Sequence, residues 1–208
     1  MTRHFIPIFI EASKMRVIVF GGGNVALRKC RYFSDAEITV VSKEVLPELR
    51  EIAHEVIIRE IPEDIRQMID PYDLVIAATD SKELNARIRD DALYMGINVN
   101  SAHGGGNVLI PSVLERDGYY VAVSSEGRVP AFPPYIVGIL DGVLDEKYDR
   151  MLELMQEMRK YSLANISPQP KRREFLEAII YDPEVQKAVA ENRMKDAKKL
   201  ALKKEADL

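Results

Sequence analysis

Apolar residues in the first hundred positions fall into short, nearly continuous runs. Val17-Ile18-Val19-Phe20, Ile38-Thr39-Val40-Val41, Val56-Ile57-Ile58, Leu74-Val75-Ile76-Ala77-Ala78 and Ile97-Asn98-Val99-Asn100 are too short for helices, and most are rich in β-branched residues. Strands buried on both faces of a parallel sheet read this way. The stretches between them predict helices: one continuing through Phe33, short ones over 47–54 and 62–69, and one capped by Ser81 and running to about residue 95. Alternating strands and helices with right-handed crossovers give a doubly wound α/β sheet. Residues 5–10 are apolar but interrupted by Pro7, which predicts an edge segment lying on the sheet.

The pattern changes near residue 111. Residues 108–113 and 119–123 alternate as an antiparallel pair joined by a turn at Asp117-Gly118. A polar loop over 124–130 follows, and then helices over about 134–161, 171–180 and 183–205. Met151, Leu152, Leu154, Met155 and Met158 recur at helical spacing, as core or a dimer seam does. The last twenty residues are charge-rich and predict a solvated, fraying helix. The chain divides into residues 1–111, 112–146 and 147–208.

Chemistry enters at Gly21-Gly22-Gly23-Asn24-Val25-Ala26, directly after the first strand and at the start of the first helix. Gly21, Gly23 and Ala26 fill the three small-residue positions of a dinucleotide fingerprint, and a helix N-terminus facing the loop favours an anion. Three consecutive glycines are also compatible with a plain flexible turn. The strand before and the helix after favour a Rossmann-type domain with Gly21, Gly22, Gly23, Asn24 and Val25 against the cofactor. The second strand ends at Ser42-Lys43-Glu44, about twenty residues on, where such folds carry a ribose-binding acid. Glu44 suits NAD; Ser42 and Lys43 would suit the phosphate of NADP. Ala78, Thr79 and Asp80 end another strand at the same sheet edge, and residues 101–107 form a loop behind it.

Composition narrows the classes. A net charge of −4 over 208 residues disfavours wholesale nucleic-acid binding. No apolar run is long enough for a bilayer, and the first residues do not read as a signal peptide, so a cytoplasmic protein is expected. Cys30 is the only cysteine and reads as a packed thiol. The three histidines, His4, His54 and His103, are scattered, so no permanent metal site is expected.

Several segments in this order carry a resemblance: His4-Phe5-Ile6-Pro7-Ile8-Phe9, Gly21-Gly22-Gly23-Asn24-Val25-Ala26-Leu27-Arg28-Lys29, Ala77-Ala78-Thr79-Asp80, Asn98-Val99-Asn100, Ile110-Pro111-Ser112, Val121-Ala122-Val123-Ser124-Ser125-Glu126-Gly127 and Lys171-Arg172-Arg173-Glu174-Phe175-Leu176. Together the chain resembles the precorrin-2 dehydrogenase family of siroheme synthesis, which includes the N-terminal module of siroheme synthase. The resemblance weakens after about residue 180. It implies NAD-dependent oxidation of precorrin-2 to sirohydrochlorin, followed in some members by ferrous-iron insertion. It also implies a homodimer, with residues 112–146 as the dimerisation region and 147–208 as a helical domain. The methyltransferase domain of the long siroheme synthases is not expected within these 208 residues.

The family's aspartate after the Asn-Val segment, thought to be its general base, has His103 as its best match here. An imidazole is able to take a proton near neutrality; the alternative is that His103 only bonds a loop carbonyl. The implied substrate bears many carboxylates. Candidates to hold it are Asn100, Ser124, Ser125, Arg128, Arg172 and Arg173, although the serines equally suit turns and the arginines ordinary solvated charge. A different class also fits the motif: a module that senses NAD(H) without tetrapyrrole chemistry.

Overall fold

A computed structural model describes residues 4–207. The chain separates into two compact units, residues 1–110 with 126–128, and residues 111–125 with 129–208.

The first unit alternates strands and helices: β1 (Arg16–Phe20), α1 (Asn24–Tyr32), β2 (Glu37–Ser42), α2 (Pro47–Ile52), β3 (Glu55–Ile58), α3 (Arg66–Ile69), β4 (Leu74–Ala77), α4 (Lys82–Tyr94) and β5 (Asn98–Ser101). The sheet order is β3-β2-β1-β4-β5, and every pairing is parallel. Val17, Ile18, Val19 and Phe20 are wholly buried because β1 is central and covered on both faces. Alternate residues serve different cores. Val17 and Val19 face Ala26, Leu27 and Cys30 of α1; Ile18 and Phe20 face Ile88 and Ala92 of α4. Each such side chain contributes about 1.5–3 kcal/mol by leaving water. Cys30 belongs to this core, and burial pushes its thiol up to about 11.

Three expectations for this unit are corrected. Residues 5–10 form no strand of the sheet, and Ile8 and Phe9 remain 70% and 73% exposed. Pro7 has no N–H for an edge ladder. The helix expected over 62–69 shrinks to α3, because the Asp64 carboxylate accepts from the Arg66 backbone N–H at 3.0 Å and pairs with its guanidinium at 2.8 Å, starting the turn there. The strand expected from residue 108 begins only at Ser112. Val108 is committed to β5 instead: its N–H donates to the Val99 carbonyl, and its own carbonyl accepts from Asn100 Nδ2 at 2.8 Å.

The second unit begins with an antiparallel hairpin, β6 (Ser112–Arg116) and β7 (Tyr119–Val123), turning at Asp117-Gly118. Helix α5 (Phe132–Val143) packs on both strands. The Arg116 guanidinium joins hairpin to helix, reaching Asp141 Oδ1 at 2.6 Å and the Leu144 carbonyl at 3.2 Å. Four helices complete the unit: α6 (Glu146–Asn165), α7 (Gln169–Ile180), α8 (Pro183–Ala190) and α9 (Met194–Lys203). They enclose Leu154, Met158, Phe175, Ile179 and Val189, with Met151 and Met155 packed at the margin.

Two long helices expected from the sequence are each divided. The first breaks at Leu144 because the Asp145 side chain accepts from the Lys147 N–H and starts α6. The second breaks after Ala190, where Asn192 takes φ 55° and the Arg193 N–H turns back to the Ala188 carbonyl. The end of the chain is not a solvated fringe either. Ala197 and Ala201 are fully buried, and Lys204 pairs with Asp182 at 2.5 Å. The charges occupy the outer face of α9, while alanines spaced by four line its inner face.

Candidate functional site

The site begins where strand order reverses. From β1 the chain builds outward to β2 and β3, then crosses to β4 and β5 on the other side. The carboxyl ends of β1 and β4 flank this reversal, and it is at such a point that open α/β sheets hold ligands. Gly21 leaves β1 with φ 124°, and a Cβ there would lie 2.3 Å from the Ala78 carbonyl oxygen. Its N–H donates to Val41 O at 3.0 Å. Gly22 is equally hemmed in: a Cβ would lie 1.8 Å from the Glu44 carbonyl oxygen. Leu46 N–H donates to the Gly22 carbonyl at 3.0 Å, tying the loop after β2 to the glycine loop.

Gly23 differs. It is the N-cap residue of α1, no side chain caps it, and a Cβ placed there meets nothing within 4 Å. The first helical bond runs from Leu27 N–H to Gly23 O, so the amides of Asn24, Val25 and Ala26 precede the helical ladder. A close-packed loop opening onto uncapped amide donors fits the pyrophosphate of a dinucleotide.

The other residues singled out for the cofactor stand at the same edge. Ser42 ends β2, followed by exposed Lys43 and Glu44; Lys43 Nζ pairs with Glu60 at 2.7 Å. Ala78 is buried, Asp80 is exposed, and Thr79 between them is engaged with Asn85 of α4. That asparagine is fully buried. It also contacts the exposed His103, whose Nδ1 lies 2.8 Å from Asn85 Nδ2.

Within the same unit a cleft of about 320 Å³ is lined by Asn100, Ser101, Gly104, Gly105, Gly106, Val108, Leu109, Glu126, Gly127, Arg128 and Phe5. Asn100 is buried; its Oδ1 accepts from Lys29 Nζ, and its Nδ2 donates to Val108 O. Lys29 sits low, at a pKa of about 8, chiefly because burial desolvates its ammonium and secondarily because Arg28 repels it. The Ser101 hydroxyl oxygen is buried without a partner, and its residue faces the cleft. Arg128 pairs with Glu126 at 2.8 Å across the cleft rim.

The remaining candidates for substrate belong to the second unit. The Ser125 hydroxyl donates to Val129 O and accepts from Val129 N–H, so it builds its own turn. Ser124 is exposed after β7. Arg172 donates to the Ile166 carbonyl at 3.2 Å, and Arg173 forms an i,i+4 pair with Glu177 at 2.7 Å. Sequence reasoning passes over Lys29, Asn85 and Ser101. Asn85 carries a readable signal, a polar residue on the stripe of α4 that also holds Ile88 and Ala92. Lys29 beside Arg28 reads as plain solvated charge.

Fold and glycine loop together define a dinucleotide-binding protein, and a family model described as "Putative NAD(P)-binding" matches residues 8–112. Precorrin-2 dehydrogenase of Methanosarcina barkeri is 30% identical over 207 residues, covering 95% of this chain and 92% of that relative. Siroheme synthase of Chromobacterium violaceum is 31% identical over 184 residues, 86% of this chain but only 39% of that protein. A solved structure described as SirC, precorrin-2 dehydrogenase, superposes with a TM-score of 0.75 at 22% identity, covering 96% of this chain and all of that one. The chain belongs to the precorrin-2 dehydrogenase family.

Among the described residues no helix is long and apolar enough to cross a membrane. No group of three His, Cys, Asp or Glu side chains among them is placed to hold a metal ion.

Proposed function

We propose that the chain oxidises precorrin-2 to sirohydrochlorin with NAD as the acceptor. The observation that carries this reading is the open, uncapped amino end of α1 at the strand-order reversal, in a chain matched by a precorrin-2 dehydrogenase over nearly its whole length. Bound NAD supplies a nicotinamide ring that accepts a hydride. The chain's part is to hold and orient. The amides of Asn24, Val25 and Ala26 hold the pyrophosphate, and the carboxylate of Glu44 takes the ribose hydroxyls while repelling the additional phosphate of NADP. Lys43 pairs with Glu60 at this exposed strand end.

The substrate is a polyanion and needs a local excess of donors. Arg128 at the cleft rim, Lys29 behind Asn100, and the unpartnered Ser101 hydroxyl are the donors we assign to it. Arg172 and Arg173 are held by their own helix neighbourhood, and we assign them a structural role first. His103, on the loop after β5 and bonded through Asn85 to the loop after β4, is the ring we assign to the reacting centre.

We also propose a homodimer formed through residues 112–146. Phe132, Tyr135, Ile139 and Val143 of α5 recur every three to four residues and are 50%, 64%, 46% and 54% exposed. An apolar stripe of that continuity on a 12-residue helix suits a partner surface.

One experiment tests the function: purified protein with precorrin-2 and NAD, followed by the tetrapyrrole spectrum, with ferrous iron added at the end. Growth of the sirohydrochlorin spectrum together with NADH is the expected result. NADH binding without any change in the tetrapyrrole would instead favour a redox-sensing module. A further spectral change on adding iron would assign chelation to the same chain.

A further inference from the structure

The network around Asn85 fixes the protonation pattern of His103. A primary amide side chain offers one acceptor oxygen and two donor hydrogens. In Asn85 the oxygen accepts from Thr79 N–H at 3.0 Å, and the nitrogen donates to the Thr79 carbonyl at 2.8 Å. Neither bond works with the amide turned over, because a backbone N–H only donates and a backbone carbonyl only accepts. The Thr79 hydroxyl lies 2.8 Å from the same oxygen and 3.2 Å from the Ser81 carbonyl, its single hydrogen serving one or the other. The orientation of a fully buried asparagine is thus settled by the strand end it caps. Its remaining hydrogen points to His103 Nδ1 at 2.8 Å. That ring nitrogen has to bring a lone pair, so the neutral ring carries its proton on Nε2.

We infer that Asn85 is a positioning residue that holds His103 as the Nε2–H tautomer, so that the exposed edge of the imidazole donates a hydrogen bond to an oxygen of the bound ligand instead of acting as general base. The inference rests on the dehydrogenase reading only for the identity of that ligand. In the oxidation a C–H bond breaks with its electron pair to the nicotinamide, and the accompanying proton leaves to water. His103 holds the acceptor oxygen in place and takes up no proton. A substrate carboxylate and the nicotinamide carboxamide carbonyl share this acceptor chemistry. If the carboxylate is the acceptor, loss of the donor raises KM for precorrin-2; if the carbonyl is, it raises KM for NAD.

The test is a long-range 1H–15N correlation spectrum of protein labelled at histidine, recorded at about pH 8, where an ordinary imidazole is neutral. Comparison with His103→Gln assigns the His103 signals. Expected is an unprotonated Nδ1 and a protonated Nε2 for His103; a protonated Nδ1 or an averaged pair overturns the inference. Asn85→Asp replaces the donor with an acceptor and should reverse the pattern. Should that variant not fold, the wild-type spectrum alone decides. In turnover, His103→Phe should lower kcat/KM by about 10- to 100-fold where a carboxylate is the acceptor and by about 2- to 10-fold where the carbonyl is. His103→Gln keeps an N–H near the Nε2 position and cannot take up a proton, so it should recover most of that loss. A Gln variant as slow as the Phe variant refutes the donor role. Wild-type protein that leaves precorrin-2 unchanged refutes the dehydrogenase reading, and the spectrum still decides the tautomer.

Discussion

Replacing Gly23 with serine separates what the glycine loop does for the fold from what it does for a ligand. Gly23 takes φ −95° and ψ −169° at the N-cap of α1, extended backbone open to any residue, and a Cβ there meets nothing within 4 Å. Serine therefore enters without displacing the loop. Its hydroxyl is placed to accept from the Val25 or Ala26 amide, and serine outranks glycine at an N-cap by a few tenths of a kcal/mol. The unliganded variant should be as stable as the parent or slightly more so. The same hydroxyl fills the opening and occupies an amide that a pyrophosphate oxygen needs. A charge-assisted hydrogen bond is worth about 1.5–3 kcal/mol, so the Kd for NADH should rise about 10- to 100-fold. The chain has no tryptophan, so NADH fluorescence titrates without that background. Thermal melts give a second measure. At about 100 times the parent's Kd, NAD should stabilise the parent by about 2.7 kcal/mol and the variant by about half of that or less. A variant with unchanged stability that binds NADH as tightly as the parent would refute the anion site at this helix end.

Three further outcomes are expected. Gly22→Ala drives a Cβ to 1.8 Å from the Glu44 carbonyl oxygen and 2.8 Å from Val45 Cα, so the two loops must part. A loss of about 1–3 kcal/mol in urea denaturation is expected, and an unchanged midpoint would contradict it. Ile139→Asp on the exposed face of α5 should leave a folded monomer by light scattering, whereas an undiminished mass argues against that face as the interface. Lys29 titrates near 8 in the folded protein, lowered first by burial and then by Arg28, against its ordinary 10.5 when unfolded. Between those values the unfolded chain binds more protons, so stability should rise with pH across that window, by about 1 kcal/mol once screening of a partly exposed amine is allowed for. Lys29→Gln, which still donates to Asn100, should flatten that rise in denaturation at pH 8 and pH 10.

The parallel sheet was legible because its strands are buried on both faces and read as unbroken apolar runs. Val17-Ile18-Val19-Phe20 admits little else, and the glycines that follow mark the edge at which open α/β sheets hold ligands. Helix ends in the second unit were harder. The break at Leu144 depends on the Asp145 side chain starting a new helix, and that at Asn192 on a left-handed residue; an uninterrupted apolar period across both hides them. Residues 5–10 suggest an edge segment on the sheet, yet they pair with no strand, and Ile8 and Phe9 stay exposed. The polar part of the site was least legible. Thr79 and Asn85 lie six residues apart and meet His103 eighteen residues beyond Asn85. A single chain in linear order gives no sign that three such ordinary residues share one hydrogen-bond network.

That network also bears on how the loop after β5 does its work. Gly104-Gly105-Gly106 suggests slack, yet its flanks are fastened to the sheet. Asn107 Oδ1 accepts from Val99 N–H at 2.7 Å, Val108 N–H donates to Val99 O at 3.1 Å, and Asn100 Nδ2 donates to Val108 O at 2.8 Å. Ala102 N–H donates to Ala77 O at 2.8 Å, and His103 adds a tie to α4 through Asn85. The fastening groups are largely part-buried, where water competes poorly for a hydrogen bond and the loss of one leaves an unsatisfied partner costing about 1–3 kcal/mol. The loop is held by these polar anchors, beside the packing of Val108 and Ile110 on the core. A site built this way keeps its donors oriented before a ligand arrives, and less ordering is left to be done on binding. The consequence runs against the usual expectation for glycine-rich loops: removing one anchor, as in Asn107→Ala, should weaken binding of the tetrapyrrole more than it disturbs the sheet beneath, and amide exchange at Gly104, Gly105 and Gly106 should accelerate while that of Val99 strand neighbours such as Val75 does not. Exchange already as fast in the parent as in the variant would refute a preorganised loop.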